Sequence, residues 1–240
     1  MSNTLYITGA GVSAAGGIPT FRGEDGYWRI GSKNYTPMEM ATRHMYQNCP
    51  EQFLAWYYHR FATYRDHGPN EVHHWLADKN LITQNIDGLD GKAGNQDYIA
   101  IHGRLDQMTQ FHEQGDLVEK ITTPWNDVDE SHLTESLFEI FAIDNGAPAM
   151  YRSYKPFVLL FDEYYTDLYG ITAAQQRMLE ADKMVFMGTS FSVNITQMAL
   201  DIARSMAIPI EVVDPEPTHV LHPDVSYHKM TAHEYVHMKG

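Results

Sequence analysis

Short apolar runs alternate with helical patterns along most of this chain, and this alternation restricts the fold more than any other feature. The runs that predict buried strands are Thr4–Thr8, Leu81–Thr83, Val158–Phe161 and Met184–Met187, with Ile208–Val213 as a fifth and Ile99–Ile101 as a weaker sixth. The clearest helical stripe has apolar residues at helical spacing from Ile195 to Met206. Strands that alternate with helices of this length predict an α/β fold with a doubly wound, Rossmann-like parallel sheet.

Two stretches interrupt the alternation and predict a small second domain. Residues 25–79 are too long for one crossover and include an aromatic-rich helical pattern over Glu51–Tyr64. Residues 104–155 contain an amphipathic helical pattern that includes Leu133 and Leu137. We therefore predict one core over residues 1–240, divided into a large and a small domain. The large domain would comprise residues 1–24, 80–103 and 156–240, and the small domain the two insertions.

The charge balance excludes several classes of partner. With 17 basic and 31 acidic side chains the net charge is −14, which argues against nucleic acid and anionic membranes as partners. The beginning of the chain lacks the layout of a signal peptide, and the apolar runs are too short to span a bilayer. The single cysteine, Cys49, excludes an intrachain disulfide and an all-cysteine zinc site. We expect a cytoplasmic monomer.

A glycine-rich turn follows the first predicted strand. Residues 9–14 read GAGVSA, a G-x-G-x-x-A pattern that opens a helix. Such a turn lets backbone N–H groups approach a diphosphate at a helix N-terminus, although a turn without a ligand has the same appearance. The acid expected about twenty residues later in dinucleotide-binding folds is missing, because residues 28–31 read WRIG.

Polar side chains follow two other predicted strands. Gln84, Asn85 and Asp87 come directly after the second strand, and such groups can bind a carboxamide, although a simple Asx turn would also explain them. His102 ends the strand at Ile99–Ile101. A histidine with an ordinary pKa of about 6.5 can take a proton from a hydroxyl near neutral pH. Most of the 13 histidines would have no such role.

These segments resemble motifs of one enzyme family. Residues 8–28, TGAGVSAAGGIPTFRGEDGYW, resemble the cofactor-binding segment of the sirtuins, the NAD-dependent protein lysine deacylases. Residues 83–89, TQNIDGL, resemble the nicotinamide-pocket motif of that family, and His102-Gly103 resembles its catalytic histidine and following glycine. Residues 188–190, GTS, with Val193 are similar to its late phosphate- and ribose-contacting loop. The matches occur in family order and cover nearly the whole chain.

The resemblance implies a set of residues that bind and use NAD. Asn85 and Asp87 would seat the nicotinamide, Phe21 and Arg22 would shield the reactive ribose carbon, and His102 would act as general base on a ribose hydroxyl. The products would be nicotinamide and O-acyl-ADP-ribose. The implied NAD-binding residues are Gly9, Ala10, Gly11, Ser13, Phe21, Arg22, Gln84, Asn85, Ile86, Asp87, Gly188, Thr189, Ser190, Asp214 and Ala232.

One of these residues differs from the family pattern. Asp214 stands where sirtuins usually carry Asn, and its carboxylate could accept hydrogen bonds from the adenosine ribose. It would also repel a 2′-phosphate, which favours NAD over NADP. A turn cap before Pro215 is the alternative.

The implied substrate is an acylated lysine side chain of a protein. Residues 161–163 read Phe-Asp-Glu where sirtuins usually carry Phe-Gly-Glu in the strand that pairs with the substrate, so Asp162 would favour basic flanking residues. Tyr57 and Arg60 match the Tyr-x-x-Arg of a subgroup that removes succinyl and malonyl groups. Alternatively, Tyr57 belongs to the core and Arg60 is solvated. The implied substrate-binding set is Tyr57, Arg60, Phe161, Asp162, Glu163 and Val193.

The metal pattern departs from the family. Sirtuins typically hold a structural zinc with four cysteines after the catalytic histidine, but residues 104–155 contain no cysteine and only His112 and His132. We therefore predict no zinc and a small domain held by apolar burial, with Trp125, Leu133, Phe138 and Phe141 as candidates. The C-terminal histidines include the i, i+4 pair His233 and His237, without a visible third ligand, which favours scattered surface histidines.

Two other functions stay open at this point. The same scaffold could carry an NAD glycohydrolase or an ADP-ribosyltransferase, because the missing cysteines and Asp162 depart from the family pattern. A non-enzymatic module that binds NAD or acylated peptide is the third alternative. It is disfavoured because such a module needs no base at His102.

Overall fold

Two separate β-sheets organise the molecule in the computed structural model, which describes residues 3–14, 16–18 and 35–240. The strands are β1 (Thr4–Thr8), β2 (Asn80–Thr83), β3 (Ile99–Ala100), β4 (Gly103–Gln110), β5 (Lys120–Thr122), β6 (Tyr154–Val158), β7 (Lys183–Met187), β8 (Ile210–Val213) and β9 (Val225–His228). The α-helices are α1 (Gly11–Ala14), α2 (Pro37–Met40), α3 (Arg43–Asn48), α4 (Pro50–Tyr64), α5 (Glu71–Trp75), α6 (Leu89–Lys92), α7 (Leu133–Ile140), α8 (Ile171–Leu179), α9 (Asn194–Met206) and α10 (Ala232–Lys239). Short 3-10 helices cover Trp125–Asp127, Glu130–His132 and Asp167–Tyr169.

The larger sheet is parallel and has six strands in the order β3-β2-β1-β7-β8-β9. Its central strand β1 is apolar because both sheet faces are covered, and Leu5 and Ile7 are fully buried. The chain leaves β1 toward one side of the sheet and later resumes at β7 on the other. Ligands of doubly wound folds bind at such a switch point, outside the carboxyl ends of the strands. The predicted α/β class and parallel sheet are confirmed.

Helices cover both faces of this sheet. On one face α8 and α9 bury residues such as Ala174, Ile195 and Ala199 in one apolar cluster. On the other face a cluster joins α1, α5 and α10 through Val12, Val72 and other residues. Helix α5 therefore packs on the large sheet, although it falls within the range predicted for the small domain. The domain limits themselves stay a prediction.

The smaller sheet is antiparallel and has the order β5-β4-β6. The prediction of a parallel strand at Val158–Phe161 is wrong, because the strand is Tyr154–Val158 and pairs antiparallel with β4. The apolar run extends beyond the end of the strand because Leu160 is also buried, in the apolar cluster beside the small sheet. Strand β9 was not predicted, since its Val-Ser-Tyr-His sequence lacks an apolar run.

A single apolar cluster joins the small sheet to helices α2, α3, α4 and α7. Trp125 belongs to this cluster and is 1% exposed, and its indole N–H donates to the Leu105 carbonyl at 2.6 Å. Its ring stacks on Phe61 and contacts Phe141. Among the helices described here, none is long and apolar enough to cross a membrane.

Candidate functional site

The glycine-rich turn after β1 packs backbone to backbone against the turn after β7. The Gly11 N–H donates to the Gly188 carbonyl at 3.0 Å, and the Gly9 N–H donates to the Met187 carbonyl at 3.1 Å. A Cβ atom on Gly11 would lie 2.6 Å from the Cα of Gly188, and Gly188 itself has φ +61°. Only glycine permits this approach. The sequence motifs at residues 9–14 and 188–190 thus meet at the switch point of the sheet.

Three predicted cofactor-binding residues, Ser13, Asn85 and Asp87, form one hydrogen-bonded group behind this turn. Ser13 Oγ donates to Asp87 Oδ2 at 2.8 Å, and Asn85 Nδ2 donates to Ser13 Oγ at 3.1 Å and to the Gly9 carbonyl at 3.2 Å. All three side chains are at least nine-tenths buried. This is a compact set of amide, hydroxyl and carboxylate groups, which is the chemistry that a carboxamide ligand needs.

Two buried neighbours of this group were not predicted from the sequence. His73 on α5 is fully buried, and its Nε2 lies 3.3 Å from Ser13 Oγ. Burial lowers the pKa of His73, against the opposing charge of Asp87. Burial, together with the Asp87 charge, raises the pKa of Asp90 to about 7. His73 reaches the site through the packing of α5, whereas Asp90 lies on α6, three residues after Asp87.

His102 lies at the carboxyl end of the sheet beside the same loop. Its Nδ1 lies 3.0 Å from the Gln84 carbonyl, which can only accept, so Nδ1 carries the proton and Nε2 is an acceptor. Burial lowers the pKa of His102 to about 4, against the effect of this hydrogen bond. The imidazole is therefore neutral and able to act as a base near pH 7.

Tyr165 occupies the other side of His102 and was not predicted as a site residue. Its hydroxyl lies 2.9 Å from His102 Nε2, and the two rings stack with centroids 5.9 Å apart. Burial raises the pKa of Tyr165 to about 12, so the phenol is protonated and donates to Nε2. The only sequence signal was its position two residues after Glu163.

The remaining predicted cofactor residues lie around the same edge of the sheet. Gln84 Nε2 donates to Thr189 Oγ1 at 3.1 Å, which joins the loops after β2 and β7. Ser190 is exposed and bonds Ser192, while Val193 precedes α9 as its N-cap. The carbonyl of Ile86 accepts from the Leu105 N–H at 2.8 Å. Ala10 lies in the turn between β1 and α1.

Two of the implied NAD-binding residues, Asp214 and Ala232, follow later elements. Asp214 comes directly after β8, and its Oδ1 accepts from the Glu216 N–H at 2.9 Å, so the turn cap that the sequence left open is present. Its half-buried position at the carboxyl end of β8 also keeps it at the predicted binding edge. Ala232 is buried as the first residue of α10. Phe21 and Arg22 lie outside the described residues.

The segment predicted to pair with substrate is anchored to α3. Asp162 accepts backbone hydrogen bonds from Arg43 at 2.7 Å and from His44 at 3.1 Å, so its carboxylate caps that helix. Phe161 is 46% exposed, and its N–H donates to the Ala41 carbonyl at 2.9 Å. The Asp162 carboxylate therefore already has local donors.

Glu163 belongs to a buried ion network. Its carboxylate lies 2.9 Å from Arg43 Nη1 and 3.6 Å from Lys155 Nζ. Burial raises the pKa of Glu163, but the Lys155 and Arg43 charges outweigh this and hold it below its ordinary value. The side chain is 4% exposed, so it positions the segment rather than presenting a charge at the surface.

Tyr57 and Arg60 lie together on α4 and both are buried, 1% and 8% exposed. Burial raises the pKa of Tyr57, and the nearby Arg60 charge opposes that change. The Arg60 guanidinium lies over the Trp56 ring, 5.0 Å from its centroid. Burial of Tyr57 agrees with its alternative interpretation as a core residue, whereas the solvated alternative for Arg60 is wrong.

The comparison with known proteins identifies the family. The model of the Sir2 family matches residues 9–195, which is more than half of the chain. This chain belongs to the Sir2 family. The matched range contains the glycine turn, the hydrogen-bonded group of Ser13, Asn85 and Asp87, His102 and Tyr165, whereas Asp214 and Ala232 fall after it.

Related proteins support the same assignment. A protein of Thermus thermophilus named NAD-dependent protein deacylase is 31% identical over 223 residues, covering 88% of this chain and 79% of the relative. A protein of the same name from Leptospira interrogans is 29% identical over 220 residues, covering 88% and 80%. A solved Sir2 homologue in complex with NAD has a TM-score of 0.72 and 27% identity over 98% of this chain and 86% of that one. A mutant Sir2 homologue in complex with ADP ribose has a TM-score of 0.74 at 27% identity, covering 98% and 89%.

The residues of this Sir2 protein do not fit a four-cysteine zinc site in the small domain. The chain has one cysteine, Cys49, which lies between α3 and α4. His112 is buried and its Nδ1 bonds the Gln110 carbonyl, while His132 pairs with Asp129 in an exposed 3-10 turn. The two histidines of residues 104–155 therefore have separate local partners.

Proposed function

We propose that this protein is an NAD-dependent protein lysine deacylase that removes acetyl groups, succinyl or malonyl groups, or both kinds. The observation that carries this proposal is the contact between His102 Nδ1 and the Gln84 carbonyl. It holds the candidate base directly against the loop that carries Asn85 and Asp87. This contact supports the proposal, because a candidate base and polar groups suited to a carboxamide lie at one edge of the sheet.

The tautomer of His102 fits the role of general base on a ribose hydroxyl. Because Nδ1 donates to a backbone carbonyl, Nε2 presents its lone pair, and the low pKa keeps the ring neutral. Ser13, Asn85 and Asp87 supply polar partners for nicotinamide. NAD supplies the bond that is cleaved, and the chain supplies orientation and proton transfer.

The acyl preference rests on Tyr57 and Arg60. Residues three apart on a helix lie on one face, and both side chains are buried. A buried guanidinium can pair bidentately with the distal carboxylate of a succinyl or malonyl group, and a phenol can add a hydrogen bond. We infer that acidic acyl groups are accepted at least as well as acetyl groups.

We further infer that the small domain folds without zinc. Its apolar cluster places Trp125, Leu137 and Phe141 at or below 1% exposure. The indole N–H of Trp125 is satisfied by a backbone carbonyl, so burial of this ring leaves no polar atom unpaired. Apolar burial of this kind stabilises a domain by about 1.5–3 kcal/mol per large side chain.

Product analysis tests the proposed function and separates it from the alternatives. The full chain is incubated with NAD and lysine peptides that are acetylated, succinylated, malonylated or unmodified. A deacylase releases nicotinamide and O-acyl-ADP-ribose only with acylated peptide. Free ADP-ribose formed without acylated peptide would indicate a glycohydrolase, ADP-ribosylated peptide a transferase, and binding without turnover a non-enzymatic module.

A further inference from the structure

Two histidines on α10 face a carboxylate on another helix. The Nε2 atom of His233 lies 3.0 Å from Oε2 of Glu71, and Nε2 of His237 lies 3.2 Å from the same oxygen. The two imidazole rings have centroids 4.5 Å apart, because residues four apart share one helix face. Within the described part of the chain, these three side chains form a group whose candidate ligand atoms all lie within 4.8 Å of one another.

We propose that Glu71, His233 and His237 form a zinc site that joins α5 to α10. Imidazole nitrogen and carboxylate oxygen are ordinary zinc ligands, and tetrahedral ligands at about 2.0–2.1 Å from the metal lie about 3.3 Å from one another. The observed separations of 3.0 and 3.2 Å are close to that spacing. The side chains are 45–56% exposed, so an ion can enter from solution and water can complete its coordination.

This site differs from a hydrolytic zinc centre in one respect. Residues 233–237 read HEYVH, an H-E-x-x-H spacing in which the Glu of metalloproteases acts as general base. Here the Glu234 carboxylate accepts hydrogen bonds from Thr231 N at 2.7 Å and Thr231 Oγ1 at 2.8 Å. It forms the capping box of α10 and is not available to a metal-bound water. The role that fits is structural.

The position of the site links it to the framework of the glycine turn. Helices α5 and α10 share one apolar cluster with α1, through Val12, Val72 and Val236. Asn70, which precedes Glu71, donates to the Val12 carbonyl at 2.8 Å. A metal between α5 and α10 would therefore fix two of the helices that support α1.

A zinc ion at this position would restrict the prediction of no zinc to the small domain. That prediction rested on the missing cysteines of residues 104–155, and for that segment it stays a prediction. In the sequence, His233 and His237 form a pair without a visible third ligand. The structure supplies Glu71, which is far away in sequence and becomes a neighbour only through the packing of α5 against α10.

Zinc titration of the full chain tests the site independently of any deacylase activity. Protein stripped with EDTA is titrated with zinc chloride alone by calorimetry, and its metal content is measured after dialysis. We expect one zinc per chain. At a free zinc concentration about 100 times Kd, Tm should rise by about 5–10 °C.

Three variants and one control locate the ion. Glu71→Gln, His233→Gln and His237→Gln should each weaken zinc binding by more than the ~10- to 100-fold caused by loss of an outer partner. His219→Gln removes an exposed histidine outside the group and should bind like the wild type. Amide exchange in Ala232–Lys239 should slow with zinc in the wild type and not in Glu71→Gln. Absence of zinc binding, or binding that all three variants leave unchanged, would overturn the proposal.

Discussion

The hydroxyl of Tyr165 donates a hydrogen bond to Nε2 of His102 at 2.9 Å, on the nitrogen that would accept a proton during catalysis. The phenol thus stabilises the neutral imidazole in the free protein. It must release Nε2 when a ribose hydroxyl takes its place. Tyr165 is therefore a positioning residue for the candidate base.

Removal of this hydrogen bond should change the pH dependence of kcat/KM more than its value near pH 8. In Tyr165→Phe the neutral form of His102 loses a donor, so its pKa should rise and the acid limb of kcat/KM should move to higher pH. Near pH 8, kcat/KM should stay within about tenfold of the wild type, since the base remains. Tyr164→Phe is the matched control, because Tyr164 is 58% exposed and bonds Gln114. Identical profiles for the two variants would contradict the assigned role.

The wild-type pH dependence follows from the low pKa of His102. Because that pKa is about 4, kcat/KM should stay flat from pH 8 down to about pH 5.

The low pKa values of His102 and His73 also make the stability of the fold depend on pH. Between about pH 6.5 and 4 the unfolded chain binds more protons than the folded chain at His102, and His73 acts likewise, so the unfolding free energy should fall as the pH falls. Denaturant melts across this range measure how the unfolding free energy changes with pH. An acid limb of kcat/KM near pH 6.5 would contradict the low pKa of His102.

The contact between the two glycine turns should tolerate no side chain. In Gly11→Ala the new methyl would meet the Gly188 backbone at 2.6 Å, and backbone cannot move aside as a flexible side chain does. We expect a loss of about 1–3 kcal/mol in unfolding free energy together with weaker NAD binding. Gly68→Ala is the control, because nothing lies within 4 Å of the position that its methyl would take, and it should change stability by less than about 0.5 kcal/mol. Equal effects of the two substitutions would argue against the close approach.

The acyl preference is tested at Arg60. Arg60→Met keeps the apolar stem and removes the guanidinium, so desuccinylation should fall about 10- to 100-fold while deacetylation changes little. Arg65→Met, at the end of the same helix, is the control and should affect neither activity. If Arg60→Met lowers both activities equally, or if the wild type processes no succinylated peptide, the assignment of Tyr57 and Arg60 to acyl binding is wrong.

The sequence predicted those parts of the molecule that local patterns encode. The apolar run at Thr4–Thr8 and the stripe of α9 predict a strand of the sheet and one covering helix, and the polar residues after β2 lie at the carboxyl edge of that sheet. Val158–Phe161 was misassigned because an apolar run does not distinguish a parallel strand from an antiparallel one. Tyr165 and Glu71 were missed for another reason. Their partners, His102 and His233, are distant in sequence, and only the packed fold brings them together.

Nicotinamide release by the wild type and by His102→Ala, with and without acylated peptide, tests the central claim most directly. The wild type should release nicotinamide only with acylated peptide. His102→Ala should be at least ~10²-fold slower while still binding NAD, since the glycine turns are unchanged. Near-wild-type turnover by His102→Ala, or release by the wild type that does not depend on the acylated peptide, would contradict the account.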